Sequence, residues 1–221
     1  MVWEWIPRNV GLIAELLGEH LMLSLVPVVI GVVVAVPLGW LANRSPGARA
    51  VLVPASGLLY TIPSLALFVV LPGILGTQVR SPINVIVALA IYTVALLVRT
   101  IADALAAVPA VVVAAATAMG FKPARRFVSV ELPLAVPVLV AGLRVATVAN
   151  ISLVSVGALI GIGGLGGLFT DGYQRNIPSE IITGIALIVL LALICDALLL
   201  ALGRIATPWE RATREAARSS A

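Results

Sequence analysis

The chain has 221 residues, 61% apolar and only 11% charged, with a mean hydropathy of +1.15. A soluble domain carries about 25% charged and about 45–50% apolar residues, so a single water-soluble core is excluded, and a disordered chain would need the opposite bias. The net charge of +4 is too small to point to a nucleic-acid partner, and the one cysteine, Cys195, allows no disulfide within the chain.

A membrane-spanning helix needs about 20 mostly apolar residues. Residues 1–18 do not qualify, because Glu4, Arg8 and Glu15 interrupt them. With Trp3 and Trp5 they read as an interfacial segment, and they are too acidic for a cleavable signal. Five spans are predicted after it, at residues 21–42, 51–71, 83–102, 134–160 and 181–202. The fold class is therefore an all-α membrane protein.

Inside the second span, Pro63 has no amide to donate and leaves the Leu59 carbonyl without its helical partner. Such breaks survive where side chains, neighbouring helices or water satisfy the backbone. Tyr60, Thr61 and Ser64 then either line a route for a small solute or pack around the kink. Asn150, Ser152 and Ser155 form a second polar cluster, in span four, with the same two readings. Charge inside a span is expensive, and Arg144 and Asp196 are the clear cases. Counted from Pro133 and Ala206 at about 1.5 Å per residue, both lie roughly 15 Å from the inner boundary. That equal depth predicts an ion pair holding spans four and five together. Arg99 and Asp103, spaced i, i+4, predict a weaker exposed pair at the end of span three.

Orientation follows from the basic residues. Ten of the 14 lie on the side of the first loop, the segment 103–133 and the C-terminal tail; three lie on the other, and Arg144 is inside a span. The excess marks the cytoplasmic face, so the N-terminus is expected outside and the C-terminus in the cytoplasm.

Catalytic chemistry finds no foothold. The only lysine, Lys122, precedes Pro123, so no GxxxxGK[ST] phosphate loop exists. The single histidine, His20, supports neither a metal cluster nor an HExxH pair, and no GxSxG is present. No catalytic residue, metal or cofactor is expected; any energy must come from another chain. The run from Gly161 to Gly166 matches GxGxxG, but a membrane span precedes it where dinucleotide binding needs a strand, and close packing of helix ends is the better reading.

The segment between spans three and four carries more information. Pro109 suits a first helical turn, the alanines from Ala114 to Ala118 favour helix, and Gly120 is placed for a left-handed cap. Pro123 opens a second helix, expected to end before Pro133. A helix–glycine–helix elbow results, with Lys122, Arg125 and Arg126 near its bend. On chemistry alone it is equally a basic loop lying on anionic lipid.

The spacing of this elbow resembles the coupling loop of binding-protein-dependent ABC importers, EAA–x3–G–x9–I-x-L-P. Ala115, Ala116, Gly120, Leu132 and Pro133 match, while Ala114 stands for the usual glutamate and Val130 for isoleucine. Tyr60-Thr-Ile-Pro-Ser-Leu-Ala-Leu67 is similar to a stretch of the glycine betaine, carnitine and choline permeases, as are the runs beginning at Glu131 and Gly161. The resemblance implies a type I importer transmembrane domain (MetI-like) over residues 19–203, with the coupling loop at 103–133 and a cytoplasmic tail at 204–221. It implies a non-catalytic permease subunit in a bacterial cytoplasmic membrane, carrying glycine betaine, carnitine, choline or proline betaine. Its implied partners are a cytoplasmic ATPase dimer, a second permease (identical or paralogous) and an extracytoplasmic substrate-binding protein. Ala114, Ala115, Ala116, Gly120, Lys122, Arg125, Arg126, Leu132 and Pro133 would meet the ATPase; Tyr60, Thr61, Pro63, Ser64, Asn150, Ser152 and Ser155 are the pathway candidates. The alternatives are a permease for methionine or another small solute, and an ion-coupled secondary transporter, for which Asp196 is the only deep carboxylate.

Overall fold

In the computed structural model, residues 4–209 are described; Trp3, Arg211, Arg214 and Arg218 fall outside them. Every regular element among the described residues is helical. A short α1 (Trp5–Arg8) precedes α2 (Val10–Arg44), and α3 (Pro46–Tyr60) and α4 (Ser64–Leu75) follow. After α5 (Pro82–Ala106) come the elbow helices α6 (Ala110–Ala118) and α7 (Pro123–Arg126). A π-turn (Phe127–Glu131) then leads into α8 (Leu132–Val154), and α9 (Gly167–Gln174) and α10 (Pro178–Ala206) complete the bundle.

The most buried helix, α5, is its axis. Val85, Ala88, Leu89 and Tyr92 join Leu23, Phe68 and Val154 in one half of the core. Leu97, Val98, Ile101 and Leu105 join Ala35, Ala135 and Ala146 in the other. The α2–α5 contact is intimate because Gly31 and Gly39 lie on one face of α2. A Cβ on Gly31 would overlap Thr93, and one on Gly39 would lie 2.5 Å from Ile101. By contrast, α10 shows Ile182, Ile185, Val189, Leu193 and Leu198 on its surface, as expected of a helix with one face toward lipid.

Three expectations need correction. Much of the segment expected to lie apart at residues 1–18 is the start of α2, which runs unbroken for 35 residues. At 1.5 Å per residue that is about 52 Å, well beyond the roughly 30 Å of a hydrocarbon core. The span at 51–71 is two helices at 105°, α3 and α4, with the corner at Thr61–Pro63. Pro63 disfavours helix at Ile62; the Thr61 and Ile62 amides close short turns onto the Leu58 and Leu59 carbonyls, at 3.1 and 3.3 Å. The Leu59 carbonyl is thus satisfied, and it is the Ile62 carbonyl that takes an outside donor, the Tyr92 hydroxyl. Finally, the helix opened by Pro123 does not stop before Pro133 but continues to Ile160. The Leu132 amide donates five residues back to Phe127, and this wider turn admits a proline that a regular turn would reject.

Candidate functional site

The elbow projects from one end of the bundle. A Schellman motif ends α6: Gly120 has φ +81°, its amide donates to Thr117 at 2.9 Å, and the Phe121 amide donates to Ala116 at 3.1 Å. Inside the bend, Arg126 Nε donates to Glu131 Oε1 at 2.5 Å and a second guanidinium nitrogen to Thr117 Oγ1 at 2.8 Å. Glu131 is 4% exposed, so this pair braces the elbow from within. Trp40 packs on Phe127 with ring centroids 5.5 Å apart, tying the π-turn to α2.

What the elbow shows outward is apolar with a basic rim. Val111, Met119 and Val128 are exposed, and Val111, Ala115, Ala116, Met119 and Val130 surround a shallow hollow of about 280 Å³. Ala114, Lys122 and Arg125 are also exposed, and the Arg125 guanidinium lies 4.7 Å from the Phe121 ring centre. Leu132 and Pro133 are half-buried where the elbow meets α8. The basic residues thus divide, Arg126 inward and the other two outward.

Across the bundle, the Tyr60–Ser64 corner is largely exposed, with the Tyr60 ring edge-on to Tyr92 at 5.8 Å. Ser152 is exposed and Ser155 half-buried, but Asn150 is buried and committed: its amide donates to Thr93 Oγ1 at 3.0 Å and to the Ser24 carbonyl at 3.4 Å. The three polar residues of α8 and its extension therefore do not act together. Arg144 meets Asp196 through two parallel bonds of 2.7 and 2.6 Å, each side chain about one-third exposed, and so joins α8 to α10. Asp103 sits between Arg99, at 3.7 Å, and Arg49, at 2.5 Å; the Arg49 contact adds a tie between α3 and α5 that no local spacing announces.

At the end opposite the elbow, the glycine-rich run folds down onto α2. His20, fully buried, lies 2.9 Å from the Ile151 carbonyl through Nε2 and 3.4 Å from the Gly163 carbonyl through Nδ1. The Ser155 amide turns to the Ser152 and Leu153 carbonyls, and His20 takes up the Ile151 carbonyl in its place. Gly164, at φ +47°, sits so close that a Cβ there would be 2.7 Å from His20 Cβ. His20, Arg49, Tyr92 and Glu131 are the residues sequence reasoning missed, each made significant by a partner distant along the chain or by an irregular turn.

Residues 28–211 match the family model described as "Binding-protein-dependent transport system inner membrane component". The osmoprotectant import permease protein OsmW of Salmonella typhimurium is 34% identical over 90% of this chain and 94% of its own length. The choline transport system permease protein OpuBB of Bacillus subtilis is 32% identical over 93% of each. Among solved structures, an inward-facing MetNI methionine ABC transporter superposes with a TM-score of 0.81 at 25% identity, covering 90% of this chain and 98% of that one. A multi-pass helical bundle with a protruding glycine-capped elbow and a family match over most of its length lead to one conclusion: this chain belongs to the binding-protein-dependent transport system inner membrane components, the permease subunits of ABC importers.

Proposed function

We propose that the chain forms half of the translocation pathway of an ATP-driven importer for a small osmoprotectant: glycine betaine, carnitine, choline or proline betaine. The names of the relatives at 32–34% identity support this solute class over methionine, the substrate named for the structural neighbour at 25%. Two such subunits, identical or paralogous, meet around the route. An extracytoplasmic binding protein delivers the solute, and each elbow docks on one subunit of a cytoplasmic ATPase dimer. The asymmetry of ten basic residues against three supports placing the elbow and C-terminus inside and the N-terminus outside.

The observation that carries the reading is the elbow, internally braced yet apolar on its outer face. Met119, at 70% exposure, and Val111, at 73%, offer a knob for an ATPase cleft, with Lys122 and Arg125 on its rim. Ala114, Ala115, Ala116 and Gly120 shape that knob; Arg126, Leu132 and Pro133 carry its displacement into α8. ATP-driven closure of the ATPase pair moves both elbows, and the spans above switch between two packed states. Tyr60, Thr61, Pro63, Ser64, Ser152 and Ser155 line the route, and Asn150 holds the helices that frame it.

The test is uptake into proteoliposomes holding permease, ATPase and binding protein. ATP-dependent uptake of labelled glycine betaine or choline, competed by carnitine, is expected. Deletion of residues 120–126 should abolish both ATPase recovery and uptake. Uptake competed by methionine and by none of the four betaine-type solutes would overturn the solute class, and ATPase association surviving the deletion would overturn the docking surface.

A further inference from the structure

The corner between α3 and α4 sits at mid-depth in the bundle. Tyr92, whose hydroxyl donates to the Ile62 carbonyl, lies ten residues after Pro82 and fourteen before Ala106 in α5. At about 1.5 Å per residue the corner is about 15 Å from one end of that helix and about 21 Å from the other. Irregular backbone at such a depth is tolerated only where protein or water meets it.

Backbone groups at the corner are left unmet. The Leu58 and Leu59 carbonyls accept the Thr61 and Ile62 amides, and the Ile62 carbonyl accepts the Tyr92 hydroxyl. Among the described residues no donor reaches the Tyr60 or Thr61 carbonyl, and the first turn of α4 has no side-chain cap. Thr61, Ile62 and Pro63 are exposed. Such groups are costly in hydrocarbon, so the corner opens onto water or protein rather than acyl chains.

One aromatic ring stands in this setting. Tyr60 is 46% exposed; the other exposed aromatic residues among those described, Tyr173 and Trp209, lie beyond the two ends of α10. The Tyr60 and Tyr92 rings are perpendicular, which leaves at least one face of Tyr60 clear of Tyr92. Tyr92 itself is buried and holds its neighbour without being open to a solute. An unstacked ring face carries partial negative charge, as do the two free carbonyl oxygens beside it, so the corner attracts a cation. A trimethylammonium group has no N–H to give a carbonyl, and a ring face is its better match.

We propose that the exposed face of Tyr60 reads the quaternary ammonium head of the solute as it passes the corner. Tyr92 is a positioning residue: it fixes the corner through the Ile62 carbonyl and the Tyr60 ring through their perpendicular contact. The proposal rests on the betaine-type solute class given above and assigns recognition of its cationic end to one side chain.

The full chain in nanodiscs of phosphatidylglycerol, whose headgroup carries no choline, is titrated by saturation-transfer NMR with choline and with 3,3-dimethylbutanol, its uncharged isostere. Choline should bind at least about fivefold more tightly than the isostere, and Tyr60→Leu should weaken choline by about five- to tenfold. Tyr60→Phe, which keeps the ring, should recover most of that loss. Stepwise fluorination of the ring drains its negative face and should lower choline affinity at each step. Tyr92→Phe should weaken choline by about threefold, a change that a brace acting on the fold alone would not produce. Equal affinity for choline and the isostere overturns the proposal even if a variant folds poorly. So does choline affinity unaltered in Tyr60→Leu and across the fluorinated series, while unaltered affinity in Tyr92→Phe overturns the positioning role. The titration needs neither ATP nor binding protein. Uptake without ring dependence would sink the site and not the solute class, and ring-dependent choline binding without uptake would sink the class and not the site.

Discussion

Glu131 and Glu180 are both buried carboxylates, one at each end of the bundle, and their surroundings differ in every respect that matters. Glu131, at 4% exposure, receives the Arg126 guanidinium at 2.5 Å, and Arg126 in turn holds Thr117 at 2.8 Å. Glu180, at 0%, receives nothing. A satisfied buried pair fixes geometry, and the elbow needs fixed geometry if force applied to it is to reach α8 rather than be lost in bending. An unsatisfied one fixes nothing, so the two ends of the bundle differ in how firmly their buried carboxylate is held.

The largest effect should come from turning the first carboxylate into a copy of the second. Arg126→Met strands Glu131, and breaking a buried pair from one side costs about 3–5 kcal/mol. Denaturant unfolding in detergent should show that loss, together with lost ATPase recovery. Arg126→Met combined with Glu131→Met should regain most of the stability, since an apolar pair of similar volume is tolerated. If the double variant is as unstable as the single one, the pair is not what braces the elbow.

At the opposite end His20 is the latch. His20→Leu keeps the bulk but deprives the Ile151 carbonyl of its ring N–H donor, at about 1–3 kcal/mol. Hydrogen exchange should rise in residues 157–167 while the elbow stays protected. Exchange rising equally at both ends would erase the contrast between them.

How much of this was legible beforehand depended on the range of the signal. Composition and apolar runs found the membrane helices, and the Ala115, Gly120 and Pro133 spacing found the elbow. Arg144 and Asp196 were matched by depth alone, because a charge in hydrocarbon has few places to go. The Arg126–Glu131 pairing escaped notice because the two lie five apart, a spacing that faces away in a regular helix and comes together only across a π-turn. Pro133 misled for the same reason: it ends a regular helix, but here the widened turn receives it. The 105° corner at Pro63 was read as a kink within one span, since a proline announces a break but not its angle. His20 had no local signature, because the carbonyls it meets lie more than a hundred residues away along the chain.

A smaller effect tests how far the elbow depends on its backbone cap. Gly120 at φ +81° sits where any side chain is strained, so Gly120→Ala should cost about 1–2 kcal/mol. The loss should appear as fraying of α6, seen by amide exchange at Gly120 and Phe121, with the Arg126–Glu131 brace retained. ATPase affinity should fall by less than in Arg126→Met.

The smallest expected effect lies between the two ends. Asn150 joins α8 to Thr93 of α5 and to the Ser24 carbonyl of α2. A hydrogen bond between membrane helices contributes only about 0.6 kcal/mol on average, because the unfolded chain also finds partners. Asn150→Leu should therefore shift unfolding by about that amount, far less than its full burial suggests. Uptake is the sharper readout. If Asn150 only joins helices, the variant keeps its apparent affinity for solute and changes at most the maximal rate. A tenfold weaker apparent affinity would instead place the Asn150 amide in contact with the passing solute, and the polar seam would belong to the route rather than to its frame.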